Sequence, residues 1–375
     1  MRIVSFDEGA SLNDFIDVPW QLYQDDPHWV PPLKFERKEA LAPKAPFFQH
    51  ARWQGWVAYD GDRPVGRISA QIDDLYEPIH KEKVGFFGFL EAPDDQAYFD
   101  GLISVASQWL QERGRQRMLG PFNLGVNQEL GLLVEGFDTP PFFMMPHGLP
   151  YYETRLKAAG FSGVQDMLAY LMNPVFETPR VMQMLQKRYL KDVRVRPVDR
   201  SNLDSELELL REIFNDAWSD NWSFVPFTDN EFRAIGKELL LITPKDFMQV
   251  AEIDGRGVAF IVLLPNLNEA IADLDGRLLP LGWAKLLWRI KGKFPTTGRV
   301  PLMGVRREFH HTKLGPGLAF AVINALREPS IAKGVNPVEL SWILEENEGM
   351  RGIIESIGGY VSKRYRMFSK DLAAG

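Results

Sequence analysis

Two glycines, Gly315 and Gly317, stand at the start of an apolar stretch and directly follow a basic segment that includes Lys313. Glycine lets backbone N–H groups approach an anion closely, and the unpaired N–H groups at the start of a helix favour phosphate. The spacing therefore indicates a cradle for a pyrophosphate. A single GxG pair also occurs in ordinary strand-to-helix loops, and that alternative stays open at this point.

The elements around these glycines must position such a cradle. Apolar runs bounded by turn residues predict buried strands and helices, and glycine pairs predict where a helix stops. The predicted elements, in chain order, are a strand at 300–305, a helix at 318–326, a strand at 338–344, an acidic turn ending in Asn347, a helix that stops at 358–359, and a final strand at 360–368.

This order of elements resembles the C-terminal half of the GCN5-related N-acyltransferase superfamily, whose Arg/Gln-x-x-Gly-x-Gly/Ala turn wraps the pyrophosphate of coenzyme A. Thr312, Gly315 and Gly317 fall on that pattern, with Thr312 in place of the usual Arg or Gln. Ile354 stands where many members place a tyrosine acid, so the usual tyrosine mechanism is not expected. The resemblance implies acyl-coenzyme A as the co-substrate. It assigns the cofactor contacts to Val305, Arg306, Lys313, Gly315, Gly317, Leu318 and Asn347.

The proton that an attacking amine must lose can be taken by a carboxylate near the end of the strand 338–344. Glu339 is one candidate, and the acidic pair Glu345 and Glu346 is the other, each acting directly or through water. Strand alternation predicts that Glu339, Ser341 and Ile343 share one face. Alternatively, Glu345 and Glu346 do no more than favour the start of the next helix.

Two further steps of acyl transfer need groups of their own. Backbone N–H groups near Val305 would polarise the thioester carbonyl, at the splayed strand pair that the superfamily uses. His310 and His311 precede the glycine turn and are candidates for the acid that protonates the leaving thiolate. Contact with phosphate or with solvent is the alternative for both histidines.

Composition excludes several classes of protein. A chain of 375 residues exceeds a comfortable single core and predicts two domains. The absence of cysteine excludes disulfides and thiolate sites, and none of the six histidines is spaced as a metal-binding pair, so no metal is expected. The net charge of −7 argues against nucleic acid. Without a signal sequence or a long apolar segment, the chain is predicted to be cytoplasmic, or peripheral at the inner membrane.

An internal repeat predicts two copies of one α/β unit. A hairpin pattern at 56–73 recurs at 248–265, and three further segments recur in the same order, namely 85–91, 117–125 and 156–172. We expect a mixed α/β fold of two tandem units, 1–174 and 175–375, each a mixed, mostly antiparallel sheet flanked by helices. The first copy carries the acidic pair Asp94 and Asp95 instead of the glycine turn, so the acyl-coenzyme A site is expected in the second copy. The first fifty residues, rich in proline and aromatic residues and poor in helical periodicity, predict an ordered arm packed through Trp20, Tyr23, Trp29 and Phe35.

Two segments are candidates for binding the acceptor. The insertion 126–152 is rich in Phe, Met, Pro and Tyr, and the segment 215–228 concentrates aromatic and amide residues at a predicted helix end. Both could instead be packed core or structural caps. The candidate substrate contacts are Asn127, Glu129, Tyr152, Asn215, Trp218, Asn221 and Trp222.

Basic residues concentrate in one part of this acidic chain. From Arg277 to Arg327 there are ten Lys or Arg and one acid, Glu308, which favours a specific anionic partner over chance clustering. Within it, 281–293 is a basic amphipathic segment with Trp283 and Trp288, typical of helices that lie on an anionic membrane surface. A core helix with a cationic edge is the alternative.

The whole chain resembles a group of bacterial tandem proteins of this superfamily that includes the bacterial ceramide synthases. The segments that carry this resemblance lie at 17–33, 85–91, 127–138 and 339–347. The resemblance implies transfer of a long-chain fatty acyl group from coenzyme A to the amine of a sphingoid base. A cytosolic acetyltransferase of a small amine or amino acid and a non-catalytic acyl-coenzyme A sensor are the alternatives.

Overall fold

A computed structural model of the chain describes residues 1–372, which form two compact units. The first unit comprises Met1–Asp166, Ile271–Trp283 and the C-terminal segment from Lys363. The second comprises Met167–Ala270 and Ala284–Ser362. The boundary at 174 stays a prediction, to be tested by expressing the two halves separately.

The secondary-structure elements are numbered in chain order. The strands are β1 (Arg2–Ser5), β2 (Ala51–Asp60), β3 (Arg63–Asp73), β4 (Val84–Glu91), β5 (Arg117–Gly120), β6 (Phe122–Asn123), β7 (Glu129–Leu130), β8 (Leu132–Glu135), β9 (Ser162–Met172), β10 (Val193–Pro197), β11 (Met248–Ile253), β12 (Arg256–Pro265), β13 (Gly298–Val305), β14 (Val338–Leu344) and β15 (Tyr360–Asp371). The helices are α1 (Leu12–Leu22), α2 (Lys34–Ala40), α3 (Tyr76–His80), α4 (Gln96–Gln111), α5 (Tyr152–Ala158), α6 (Arg180–Tyr189), α7 (Leu203–Trp218), α8 (Asp229–Ile242), α9 (Leu267–Ile271), α10 (Gly282–Trp288), α11 (Leu314–Ala325), α12 (Arg327–Lys333) and α13 (Glu348–Ser356).

The first unit is built on a sheet in the order β1-β2-β3-β4-β5-β15, with β8 also paired to β15. Only the β4–β5 pair of this series is parallel. The central strand β3 is buried along most of its length, because α1 and α4 both pack against it. Phe15 on α1 and Leu102 on α4 are fully buried there.

The second unit repeats this plan in the order β10-β11-β12-β13-β14-β9, again with one parallel pair, β13–β14. Helix α11 packs against β12 and contributes Leu318, Phe320 and Val322 to the core. The sheet of the first unit ends on β15, from the C-terminal part of the chain, and the sheet of the second unit ends on β9, from the middle of the chain.

These sheets confirm the predicted fold class of a mixed, mostly antiparallel sheet flanked by helices. The predicted strand 338–344 matches β14 residue for residue. The weak helical periodicity of the first fifty residues was a wrong indication, because this segment forms α1 and α2. Phe35, expected in its core, is 65% exposed on α2. Helix α11 starts at Leu314, so Gly315 and Gly317 lie inside its first turn rather than before it.

Candidate active site

A cleft opens where the two parallel strands of the second unit separate. β13 and β14 pair over Gly298–Val300 and Val338–Leu340, and beyond these residues both strands continue while the cleft, of about 440 Å³, lies between them. We call it the β13–β14 cleft. Its walls come from β13, β14, the end of α7 and the first turns of α11 and α13, and they include Trp218, Asn221, Trp222, Met303, Val305, His310, Gly315, Ala319, Ser341, Trp342, Glu346, Asn347 and Met350.

Backbone groups of β13 face this cleft at alternate residues. The N–H of Arg306 donates to Val258 on β12, so Arg306 faces away from the cleft and its neighbour Val305 faces towards it. The carbonyl of Val305 accepts a hydrogen bond from His310 Nε2 at 2.7 Å, and the carbonyl of Met303 accepts one from Trp218 Nε1 at 2.9 Å. Because a carbonyl only accepts, Nε2 of His310 carries the hydrogen. The N–H groups of Met303 and Val305 therefore point to the same side as the cleft.

The start of α11 fits a phosphate cradle at Gly315. A Cβ atom at this position would lie 2.3 Å from the carbonyl oxygen of Phe309, so only glycine is accommodated without a shift of the turn. Thr312 Oγ1 accepts weak hydrogen bonds from the N–H groups of Leu314 and Gly315, at 3.2 and 3.3 Å. An incoming phosphate oxygen can replace the Thr312 hydroxyl on these donors, and the helix dipole favours its charge.

Of the other predicted cofactor residues, Asn347 lines the cleft, whereas Arg306, Lys313, Gly317 and Leu318 lie outside its walls. A Cβ on Gly317 would meet Leu190 of the α6 segment at an ordinary 3.4 Å, and Leu318 is fully buried core. Arg306 donates through Nε to the Gly257 carbonyl. Lys313 is exposed just before α11, within reach of solvent anions. Asn347 lines the cleft, and its side chain caps α13 by accepting from the Met350 N–H at 3.1 Å.

The three candidate bases lie in different surroundings. Glu346 lines the cleft and is exposed, whereas Glu345 is exposed outside its lining. Glu339 is fully buried beside Arg299, which is also fully buried, with 3.6 Å between Oε1 and Nε. Ser341 Oγ donates to Glu339 Oε1 at 2.7 Å and accepts from Arg299 Nε at 2.8 Å. Of this buried network, Ser341 is the member that lines the cleft.

A β-bulge separates the two halves of β14. The register against β9 shifts between Leu340 and Ile343, so the strict alternation expected for Glu339, Ser341 and Ile343 does not hold along the strand. Ser341 and Trp342 form the bulge and both line the cleft, and the Trp342 ring lies 4.6 Å from the Arg299 guanidinium. The bulge thus turns residues of both predicted faces towards the same cleft.

Of the remaining candidate residues of the second unit, some line the cleft and others do not. Trp218, Asn221 and Trp222 line the cleft, while Asn215 holds the following loop by two hydrogen bonds to the backbone of Phe227. His310 lines the cleft and His311 does not. Ile354, at the position of the tyrosine acid of related proteins, is fully buried core.

In the first unit the gap between the corresponding strands, β4 and β5, is filled by another part of the chain. β4 and β5 also pair over three residues, but Gly88 then packs directly against the Phe122 backbone, where a Cβ would lie 1.8 Å from its carbonyl oxygen. Asn123 Oδ1 accepts the N–H of Phe89 at 2.8 Å. Asp95 caps the following helix α4 through the Ala97 N–H, as its acidic character predicts.

The candidate substrate residues of the first unit belong to a buried polar network. Tyr152 and Tyr23 both donate to Glu91 Oε2, at 2.5 and 2.7 Å, and burial raises the pKa of the Glu91 carboxyl. Glu129 pairs with Arg37 and accepts from Asn123; burial opposes ionisation, but the Arg37 guanidinium holds the pKa of Glu129 below its usual value. Asn127, the other candidate of this insertion, is half-buried in the turn between β6 and β7.

Sequence reasoning missed Glu91, Tyr23, Arg299 and Ser341 as parts of polar networks. One signal was available for Glu91, since it is an acid at the end of an otherwise apolar strand, GFFGFLE. Arg299 likewise lies at the start of an apolar strand, and its side chain is completely buried. Charged residues are seldom fully buried without a partner, so such positions point to ion pairs.

The basic amphipathic segment 281–293 is helical at its start. α10 ends at Trp288, and Arg289–Lys293 form one wider, π-type turn. Trp283, Leu287 and Trp288 are 51%, 47% and 63% exposed. Arg289 donates to the Ala270 carbonyl at 2.8 Å, so it is anchored to the protein rather than directed to solvent as expected.

Two features are absent from residues 1–372. No helix in this range combines the length and the apolar character that a membrane span requires. Within the same range, no group of three or more His, Asp or Glu side chains is placed to hold a metal ion.

Comparison with known proteins gives two relatives along nearly the whole chain. The chain is 46% identical to Protein YghO of Escherichia coli over 362 residues, which are 96% of this chain and 93% of that protein. It is 44% identical to the bacterial ceramide synthase of Caulobacter vibrioides over 375 residues, which are 99% and 98% of the two chains. Among solved structures, a tandem GNAT protein from the clavulanic acid biosynthesis pathway covers 100% of both chains with a TM-score of 0.57 at 12% identity. No protein-family model matches the chain.

Proposed function

The chain belongs to the family of tandem GCN5-related N-acyltransferases that includes the bacterial ceramide synthase of Caulobacter vibrioides, and we propose that it joins a long-chain fatty acyl group from coenzyme A to the amine of a sphingoid base. As a member of this family it is an N-acyltransferase. The acyl donor, the acceptor and the residues that handle them are the parts proposed here.

The single observation that carries the donor site is the open β13–β14 cleft. A thioester that enters between the strands meets the N–H groups of Met303 and Val305, which can polarise its carbonyl without reorganising. The pyrophosphate of the same molecule reaches the start of α11, where Gly315 leaves room for it. Coenzyme A supplies the activated acyl group and the thiolate leaving group.

A long acyl chain matches the apolar side of the cleft. Ala319, Leu340 and Ile353 line it, and Val300 and Leu340 are shared with a second, smaller cavity of about 20 Å³ between the sheet and α11. A methylene group occupies about the volume of a water molecule, ~30 Å³, so a sixteen-carbon chain alone needs a volume comparable with the whole cleft. Because the smaller cavity has less volume than one methylene group, we propose that the chain occupies the apolar side of the cleft itself.

We further propose that an anionic membrane surface delivers the lipid substrates to the segment 281–293. Trp283, Leu287 and Trp288 are exposed beside Lys285, Lys291 and Lys293. Each basic residue near an anionic surface contributes about 1 kcal/mol, so three of them favour a reversible association that salt weakens.

Vesicle flotation tests this membrane proposal with a matched pair of variants. Reversal of Lys285, Lys291 and Lys293 to Glu should abolish binding to anionic vesicles. Reversal of three exposed lysines elsewhere, Lys44, Lys157 and Lys237, changes the net charge equally and should reduce binding much less. Equal binding by the first variant and the parent protein contradicts the assignment of this segment.

Thiol release tests the reaction itself. The purified chain is incubated with coenzyme A thioesters of two to eighteen carbons and with sphingoid bases, small amines and amino acids in turn. We expect thiol release with long-chain thioesters and a sphingoid base, and an amide product by mass spectrometry. Preference for acetyl-coenzyme A with a small amine would replace the proposal by a small-amine acetyltransferase. Thioester binding by calorimetry without release with any amine would indicate a sensor.

A further inference from the structure

The buried carboxylate Glu339 has no surface of its own, and its hydrogen-bond partner Ser341 lines the β13–β14 cleft. Glu339 is 0% exposed and Ser341 is 3% exposed. Ser341 Oγ donates to Glu339 Oε1 at 2.7 Å, and Ser341 is one of the residues that line the cleft. A group in the cleft can therefore exchange a proton with Glu339 by way of Ser341.

The direction of this connection follows from the hydrogen count of a serine. A hydroxyl group has one hydrogen, and the hydrogen of Ser341 is donated to Glu339. Arg299 Nε donates to Ser341 Oγ at 2.8 Å, and this bond holds the hydroxyl with its hydrogen directed at the carboxylate of Glu339. Towards a ligand, Ser341 Oγ can therefore act only as an acceptor. An acceptor in the cleft suits the N–H of an amine and does not suit a thiolate, which must receive a proton.

We propose that Ser341 is a catalytic residue that takes the proton of the acceptor amine and passes its own hydrogen to Glu339, with Arg299 as a positioning residue. This assignment rests on the N-acyltransferase function proposed above. It selects Glu339, acting through Ser341, over Glu346, which lines the cleft directly, and over Glu345.

The step balances in atoms and charge. The ammonium form of the acceptor releases one proton to solvent on binding as the free amine. Its nitrogen then forms a bond to the thioester carbonyl carbon while an N–H hydrogen moves to Ser341 Oγ and the Ser341 hydrogen moves to Glu339. The carbon–sulfur bond breaks, and the thiolate of coenzyme A receives a proton from water. Glu339 returns its proton through Ser341 to solvent.

The bulge of β14 brings Ser341 to the cleft. The register shift between Leu340 and Ile343 interrupts the strand at Ser341, so Ser341 lines the cleft while it still contacts Glu339 two residues earlier. Arg299 faces Glu339 from β13, its directly paired neighbour in the parallel register. Opposite Leu340 on β9, the Tyr170 hydroxyl is used by Glu355 and Arg351 and belongs to a separate group of charges.

Three variants test the relay. Ser341→Ala removes the hydroxyl and should lower kcat by about 100-fold or more, within the range that a general base contributes, while the affinity for acyl-coenzyme A stays within a few-fold. Ser341→Thr keeps a hydroxyl and should restore much of the turnover. Glu339→Gln keeps an oxygen that accepts from Ser341 but cannot take a proton, so it should resemble Ser341→Ala in kcat.

The pH dependence separates proton transfer from a structural role. The free-amine fraction rises equally for both proteins, but in Ser341→Ala hydroxide from the solvent can take the N–H hydrogen in place of Ser341, so the deficit of Ser341→Ala should shrink as pH rises. A deficit that is the same at every pH, or a kcat within threefold of the parent, overturns the relay. Loss of turnover in Glu346→Gln with normal turnover in Ser341→Ala assigns the proton to Glu346 instead and also overturns it.

Failure of the relay and failure of the proposed function give different results. If the parent protein releases no thiol with any amine, the function is wrong and the variants are not compared. If the parent is active, the variants alone decide the relay. Should Ser341→Ala fold poorly, as judged by its thermal unfolding, the comparison of Glu339→Gln with the parent decides the same question, because Gln retains the size and one acceptor oxygen of Glu.

Discussion

Replacement of Gly315 by alanine is the sharpest test of the coenzyme A cradle. The new methyl group would lie 2.3 Å from the carbonyl oxygen of Phe309 and 3.1 Å from its carbonyl carbon, both of which belong to the backbone. The same oxygen accepts the N–H and the Oγ1 hydroxyl of Thr312, at 3.0 and 2.9 Å. A shift that relieves the clash therefore loosens the hydrogen bonds that shape the turn before α11.

The size of the effect follows from these contacts. Overpacking at a rigid position costs about 1–3 kcal/mol, and each weakened hydrogen bond of the turn adds up to about 1 kcal/mol. Alanine regains about 0.5–1 kcal/mol through its better helix propensity. A net cost of about 1–3 kcal/mol, where 1.4 kcal/mol is a factor of ten, predicts an affinity for coenzyme A about 5- to 150-fold weaker if the turn forms the site.

Gly317→Ala is the matched control. Its methyl group would meet Leu190 at 3.4 Å, an ordinary contact, and it gains the same helix propensity. Titration calorimetry with coenzyme A measures the affinity of both variants, and thermal unfolding shows whether the fold persists. If Gly315→Ala binds as tightly as the parent, or if Gly317→Ala is weakened equally, the cradle is not at Gly315.

Three further predictions concern other parts of the molecule. The chain should bind one acyl-coenzyme A, because the strand pair of the first unit is filled by the Phe122 backbone and by Asn123; a calorimetric stoichiometry of two contradicts this. Ala319→Phe should fill the apolar side of the cleft and move the preference towards shorter thioesters, measured as the ratio of kcat/KM for sixteen- and two-carbon donors; an unchanged ratio places the chain elsewhere. Burial raises the pKa of Glu91, so its protonated form stabilises the fold below the unfolded pKa of about 4.3 and this stabilisation is lost as pH rises through the higher folded pKa. Glu91→Gln should therefore gain stability relative to the parent as pH rises, as measured by urea unfolding, and a pH-independent difference would show that Glu91 ionises normally.

The strands were predictable because their residue patterns are local. β14 was found at its observed bounds, and the hairpins β2–β3 and β11–β12 follow from alternating residues around Asp-Gly turns. Helix α1 was missed because Pro19 lies inside it and four aromatic residues between 15 and 29 obscure its period. The proline is tolerated late in the helix, where α1 ends three residues further on.

The site was only partly predictable, since its contacts join distant parts of the chain. Val305, Gly315, Glu346 and Trp218 were placed at the cleft by their motif or by local composition. The network around Glu339 depends on Arg299, forty residues earlier in the chain, and on a β-bulge. No residue type in the sequence predicts that bulge. Two tyrosines from separate segments likewise reach Glu91, and their spacing in sequence carries no signal of that contact.

The two units share one strand arrangement but differ in what occupies the gap between the two parallel strands. In each, a parallel pair of three residues is followed by a point where the strands separate, and the fifth residue after the first pair is Phe89 in β4 and Met303 in β13. The Phe89 N–H is already satisfied by Asn123, which comes from the chain that fills the gap. The carbonyl of Met303 is held by a side chain from α7, and that contact leaves the cleft open. A backbone donor that is preorganised but still accessible can polarise a carbonyl, so we propose that acyl transfer occurs in the second unit, whereas in the first unit the turn that contains Asn123 closes the corresponding gap.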